Sequence, residues 1–264
     1  MSIMLLENKN AVIYGGGGAV GSVVARAFAR EGATVYLAGR TLEKLDAVAQ
    51  EIRNAGGKAE TAIVDATDKA SVEKHFADIV QHAGHIDISF NLIETGDAQG
   101  ALLVDMTQDH FALPIVSAMN THFLTGTAAA RHMSKQGSGV VLALTANVAK
   151  SPSPVSGGFG VACAAIEALF RQFAVEVSPN GVRFVVLRSA GSPDTPGVRD
   201  AMKAHADAQG ISLEEFLKNG AESTLLKRFP MLPDVANVAV MMASDYSSPI
   251  TAAVTNVTCG QLVD

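Results

Sequence analysis

Residues 11–21 read Ala11-Val12-Ile13-Tyr14-Gly15-Gly16-Gly17-Gly18-Ala19-Val20-Gly21. A short apolar run breaks into four glycines and then into a segment of helical period, Ala19–Arg30. Glycine lets the backbone take positive φ and approach a bound group closely. A helix starting behind such a turn offers unpaired N–H groups and a positive dipole end to an anion. Strand, glycine turn and helix in this order predict a pyrophosphate cradle made by Gly15, Gly17, Gly18, Ala19, Val20 and Gly21.

Outward from the turn, strand-like and helical segments alternate. Strands are expected at Thr34–Ala38, Lys58–Val64, Ile86–Asn91, Val140–Leu144, Val182–Leu187 and Val254–Thr258. Helices are expected from Thr41 to about Ala55, then at Lys69–His82, Gln108–Lys135, Phe159–Ser178 and Asp234–Ala243. Pro114 marks a point of interruption in the longest of them. Alternation of this kind predicts an α/β fold, a doubly wound parallel sheet of Rossmann type, with right-handed crossovers. The whole chain, 1–264, reads as one domain. Between 190 and 233 the pattern turns to short polar helices separated by Pro and Gly, and this stretch follows the sixth strand. Ligands bind at the carboxyl edge of such sheets, so 190–233 is a candidate substrate lid.

Composition narrows the function classes. Lys plus Arg total 20 against 26 Asp plus Glu, a net charge of −6, and no window supplies a basic stripe for nucleic acid. Charged residues are 17% of the chain, below the usual ~25%, while 48% are hydrophobic, which suits a chain with a full core. Cys163 and Cys259 form no CxxC pair, so a reducing, cytoplasmic setting is expected. No apolar run reaches the ~18 residues of a membrane span without a charge or glycine break. His82, His85 and Asp87 straddle a helix end and a strand start, and no metal is expected there.

The second strand ends Leu37-Ala38-Gly39-Arg40. A carboxylate here would bind the ribose 2′-hydroxyl of NAD, whereas an arginine suits the 2′-phosphate of NADP. Gly39 followed by Arg40 favours NADP(H) over NAD(H).

With these residues in view, the chain resembles the short-chain dehydrogenase/reductase family from about residue 9 to its end. The family's TGxxxGxG is similar to Tyr14-Gly15 through Gly21, with Ala19 in place of the middle glycine. Its acidic residue after the third strand resembles Asp65, followed by Ala66. The NNAG after strand four is altered to Asn91-Leu92-Ile93-Glu94. The turn after strand six resembles Ala190-Gly191-Ser192-Pro193-Asp194-Thr195. The resemblance implies adenine contacts from Asp65 and Ala66, cofactor binding by Asn91 and a nicotinamide-side role for Thr195. It also implies a homotetramer or homodimer paired through the two long helices.

The same resemblance exposes a gap. The family uses serine, tyrosine and lysine, with an asparagine behind them, to move a proton at a carbonyl oxygen. Ala164-Ala165-Ile166-Glu167 is similar to the run that follows the lysine, which puts Cys163 at the lysine and Phe159 at the tyrosine. Counting back gives Ala146 for the serine and Ala118 for the asparagine, with Asn120 two residues away. Tyr14, Tyr36 and Tyr246, the three tyrosines of the chain, all lie elsewhere in the sequence. Glu94, Thr145 and Asn147 are the candidate substitutes, and Arg188 ends strand six on the expected pocket side. Ser151 and Ser153 read as turn residues. Cys163, among small apolar neighbours, reads as a buried thiol. Three readings stay open: an oxidoreductase with an unorthodox site acting on a polarised C=C, C=N or C=O bond, a non-redox enzyme, and an inactive cofactor-binding or partner protein.

Overall fold

The computed structural model describes residues 4–263. Its seven strands are β1 (Asn10–Tyr14), β2 (Thr34–Gly39), β3 (Lys58–Ile63), β4 (Ile88–Asn91), β5 (Gly139–Ala146), β6 (Val182–Ser189) and β7 (Ala253–Val257). They form one sheet in the order β3-β2-β1-β4-β5-β6-β7, with all neighbours parallel. The α-helices are α1 (Ala19–Arg30), α2 (Leu42–Asn54), α3 (Lys69–Ala83), α4 (Gln108–Gln136), α5 (Gly157–Val177), α6 (Pro196–Gln209), α7 (Leu213–Ser223) and α8 (Leu232–Ala243). This is the doubly wound single domain that the alternation predicts.

Central strands are apolar on both faces because helices cover both. All five residues of β1 are buried, whereas the edge strand β3 buries only Ala59. Phe28, Leu37 and Leu45 lie in the core on the α1, α2 and α8 side; Phe76, Met133 and Phe184 lie in the core on the α3, α4 and α5 side. The winding reverses between β1 and β4, where Tyr14 pairs with Asn91, so the crevice of the fold opens at that point.

Three expectations need correction. The longest helix does not break at Pro114: α4 runs through it, losing only the bond that residue's N–H would have made to His110. Just there α5 crosses closely, and a Cβ on Gly158 would stand 2.0 Å from the Phe111 carbonyl oxygen. The segment after β6 is more regular than short polar helices, since α6 has 14 residues and α7 has 11. Pro196 at the first helical position and Gly210 in a left-handed conformation at the end delimit α6. The fourth strand also starts later, at Ile88. Among the described helices α5 is long and apolar enough to cross a bilayer, but it packs against α4, β5 and β6.

Candidate active site

Backbone geometry makes the glycine turn. Gly15 has φ +76°, and a Cβ there would come within 2.5 Å of the Leu92 carbonyl oxygen. A Cβ on Gly21 would lie 2.2 Å from the Gly15 carbonyl oxygen. The first turn of α1 therefore closes onto the chain only because both positions lack side chains. Gly18 and Ala19 are exposed at the start of α1, and Gly18 has no side chain with which to cap the helix. Unpaired N–H groups at that terminus would hold a pyrophosphate. The methyl of Ala19 lies at this same exposed entry.

Arg40 is exposed at the end of β2, within electrostatic reach of Asp65. Asp65 accepts hydrogen bonds from the Thr67 N–H (2.9 Å) and hydroxyl (2.7 Å), which hold its carboxyl below the usual range; Arg40 adds to this. Ala66 is buried beside it. Asn91 is buried, donating to Thr125 Oγ1 at 3.3 Å and accepting from the Ile93 N–H at 3.0 Å. It thereby shapes the segment that meets Gly15.

Thr195 precedes α6 at the position where a hydroxyl ordinarily caps a helix, yet it makes no such bond. Its Oγ1 is buried without a partner, as is the Ser192 hydroxyl. Buried hydroxyls are nearly always satisfied. An amide-bearing ligand at this edge would satisfy them. The exposed helix entry at Ala19, the side-chain-free turn, Arg40 and these orphan hydroxyls fit a nicotinamide dinucleotide.

The other half of the site is different. Ala146 ends β5, and Phe159 and Cys163 lie one turn apart at the start of α5. Cys163 is buried next to the Ala146 backbone, and burial pushes its thiol up to about 12; Glu167 and Asp97 push the same way. The thiol stays protonated and non-nucleophilic at neutral pH. Ala118 is fully buried on α4, with its carbonyl accepting from His122 Nδ1 at 3.0 Å, while Asn120 is exposed.

The candidate substitutes are mostly committed to the protein itself. Thr145 donates to Glu167 Oε1 at 3.0 Å, so its proton already has an acceptor. Glu167 receives a two-pronged bond from Arg188, Nε to Oε1 at 2.8 Å and Nη2 to Oε2 at 2.6 Å. Arg188 also donates to Asn256 at 3.1 Å. Arg188 is therefore a buried structural cation and not a pocket charge. The Asn147 amide donates to Gln261 at 2.8 Å. Glu94 is exposed, with Oε1 3.2 Å from the place a Cβ of Gly197 would occupy, at the first turn of α6.

Elsewhere the flagged groups are structural. His82 is hydrogen bonded to the Asp78 carbonyl, and His85 and Asp87 both bind Asn10. The Ser153 hydroxyl pairs with Ser156, and Ser151 is an exposed bend. Two groups were missed by sequence reasoning, Asp97 and Gln99; Glu167 was read only as the end of the Ala164–Glu167 run and not as the partner of Arg188.

Comparison with known proteins agrees with this geometry. Residues 17–261 match a family model described as enoyl-(acyl carrier protein) reductase. The chain belongs to the short-chain dehydrogenase/reductase family. It is 30% identical over 247 residues to the uncharacterized oxidoreductase YxbG of Bacillus subtilis, covering 93% of this chain and 88% of that one. It is 25% identical to a 3-oxoacyl-[acyl-carrier-protein] reductase of Thermotoga maritima, over 98% of this chain and all of the relative. Among solved structures, sorbitol-6-phosphate 2-dehydrogenase from Erwinia amylovora superposes with a TM-score of 0.90 at 25% identity, covering 96% of this chain and 100% of that one. An NAD+-bound xylitol dehydrogenase gives 0.89 at 21% identity, over 96% and 98% of the two chains, a likeness of fold. The short-chain dehydrogenase/reductase chain described here is thus of oxidoreductase type, built on a nicotinamide-binding fold.

Proposed function

We propose that this protein binds NADP(H) in preference to NAD(H) and transfers hydride to or from a polarised C=C, C=N or C=O bond of a small molecule. The observation that carries the cofactor reading is Arg40, exposed at the end of β2 where the preceding residue is glycine and not a carboxylate. When bound, the nicotinamide supplies or accepts the hydride. This chain's residues hold it: the glycine turn takes the pyrophosphate, Asp65 and Ala66 flank the adenine, and Thr195 meets the carboxamide. Holding two reactants in the right orientation supplies much of the barrier reduction even without a tuned acid.

The usual proton route is absent in this reading. Phe159 has no proton to give, Cys163 offers no fixed positive charge, and Ala146 cannot orient an oxygen. With Thr145 committed to Glu167, reduction takes its proton from water or from the protonated carboxyl group of Glu94 or Asp97 in the loop after β4. The segment 190–233 acts as the substrate lid. A second reading, a ligand-holding protein without turnover, is favoured by the inward commitment of Thr145, Asn147 and Arg188.

Titration calorimetry tests the cofactor reading. Arg40→Ala should weaken NADPH binding by about 1.5–3 kcal/mol, the worth of a charged hydrogen bond, and leave NADH unchanged. Equal affinities for both cofactors in the unaltered chain would overturn it. The reading also includes a homodimer or homotetramer in the cytoplasm. Leu113, Val116 and Phe123 on α4 and Val161 on α5 are about half exposed, an apolar surface suited to a second copy. Light scattering should give at least twice the 27.4 kDa chain mass, and a monomer at micromolar concentration would refute it.

A further inference from the structure

The loop between β4 and α4 runs along α6. Gly100 has φ +103°, and a Cβ there would sit 3.2 Å from Ala204 Cβ on α6. Its N–H donates to the Val155 carbonyl at 2.9 Å, which anchors the loop on the segment leading into α5. Glu94 meets the first turn of α6 at Gly197, where a carboxylate is favoured by the helix dipole. Between these points one side chain spans the gap. His205 Nε2 on α6 donates to Gln99 Oε1 at 2.8 Å, and Gln99 Nε2 donates to Asp97 Oδ2 at 2.6 Å. The His205 ring also lies against Phe216 on α7, with centroids 6.2 Å apart.

An amide suits this place for a simple reason. Its oxygen can only accept and its nitrogen can only donate, so it joins a ring N–H to a carboxylate in one polarity. His205, Gln99 and Asp97 are each partly buried, so water competes with the bridge less than at an open surface. His205, which this chain fastens, lies about three turns from Thr195, the residue that precedes the helix. A helix is rigid along its length, so a contact on its far turns also restrains the residue at its entry.

We propose that Gln99 is a positioning residue: its side-chain amide latches α6 to the loop after β4, and thereby sets how long a bound nicotinamide stays beneath Thr195. This rests on the cofactor reading above, with α6 as the moving part of the lid. Asp97 gains a place from the same bridge. It stands within electrostatic reach of Cys163, the position where the family carries its lysine.

The test uses the full chain and three variants, Gln99→Leu, His205→Leu and His205→Gln. Backbone hydrogen exchange over residues 196–209 is read without ligand, and the NADPH dissociation rate is read by stopped-flow fluorescence. Both leucine variants should speed exchange in α6 about tenfold and release NADPH about tenfold faster. Association rate and unfolding midpoint should be unchanged. His205→Gln keeps an N–H for Gln99 Oε1 and should restore both rates. Unchanged α6 exchange in Gln99→Leu would overturn the latch. So would faster exchange with unaltered NADPH release, or failure of His205→Gln to restore either. If the unaltered chain holds no nicotinamide cofactor, the cofactor reading falls, while the exchange result still decides whether the latch exists.

Discussion

The two halves of the crevice use their residues in opposite ways. At the β1–α1 junction the backbone is constrained and the side chains are free: Gly15 and Gly21 admit no Cβ, while Arg40 points to solvent. At the β5–α5 junction the side chains are tied to one another. Thr145, Glu167, Arg188 and Asn256 form a continuous hydrogen-bonded chain, and Asn147 is tied to Gln261. One half is shaped to receive something from outside. The other has turned its polar groups inward, and a buried carboxylate and guanidinium fill one another's needs.

Breaking the inward half should produce the larger disturbance. Glu167→Ala leaves Arg188 buried without its carboxylate, and removing one member of a buried pair destabilises by about 3–5 kcal/mol. Chemical denaturation should show that loss. A change below 1 kcal/mol, within the range of exposed pairs, would mean that the pair is hydrated and the two halves are less different than described. Gly21→Ala probes the outward half. Its methyl would meet the Gly15 carbonyl at 2.2 Å, and relieving such overpacking costs about 1–3 kcal/mol. Because the same atoms form the cradle, NADPH affinity should fall with it. Loss of stability with intact affinity would separate the turn from the binding site.

This contrast also explains what could be read before any coordinates. Fold class follows from periodicity, and β1, β2, β5 and β6 lie where their apolar runs place them. The glycine turn is legible because a conformational requirement leaves a residue type behind. The length of α6 was not legible from its polar surface, although Pro196 and Gly210 mark its two ends. The chain Thr145–Glu167–Arg188–Asn256 was not legible, since its four members come from β5, α5, β6 and β7 and meet only through strand order. Gln99 and His205 are 106 residues apart and joined by a side-chain bridge without any periodic pattern. Pro114 misled for a related reason: one lost hydrogen bond is small beside the packing that holds α4 along its 29 residues.

In the function proposed above, the cofactor half of the family's site is kept and the usual proton-transfer half is vacated. The most direct test is NADPH consumption by the unaltered protein over a panel of ordinary ketones, at cofactor concentrations that saturate binding. Losing a positioned general acid lowers a rate by about 10²–10⁴-fold, so turnover at background level is the expected result while NADPH remains bound. Robust ketone reduction, unaffected by Phe159→Leu or Cys163→Ala, would contradict a vacated site and place the protonating group elsewhere.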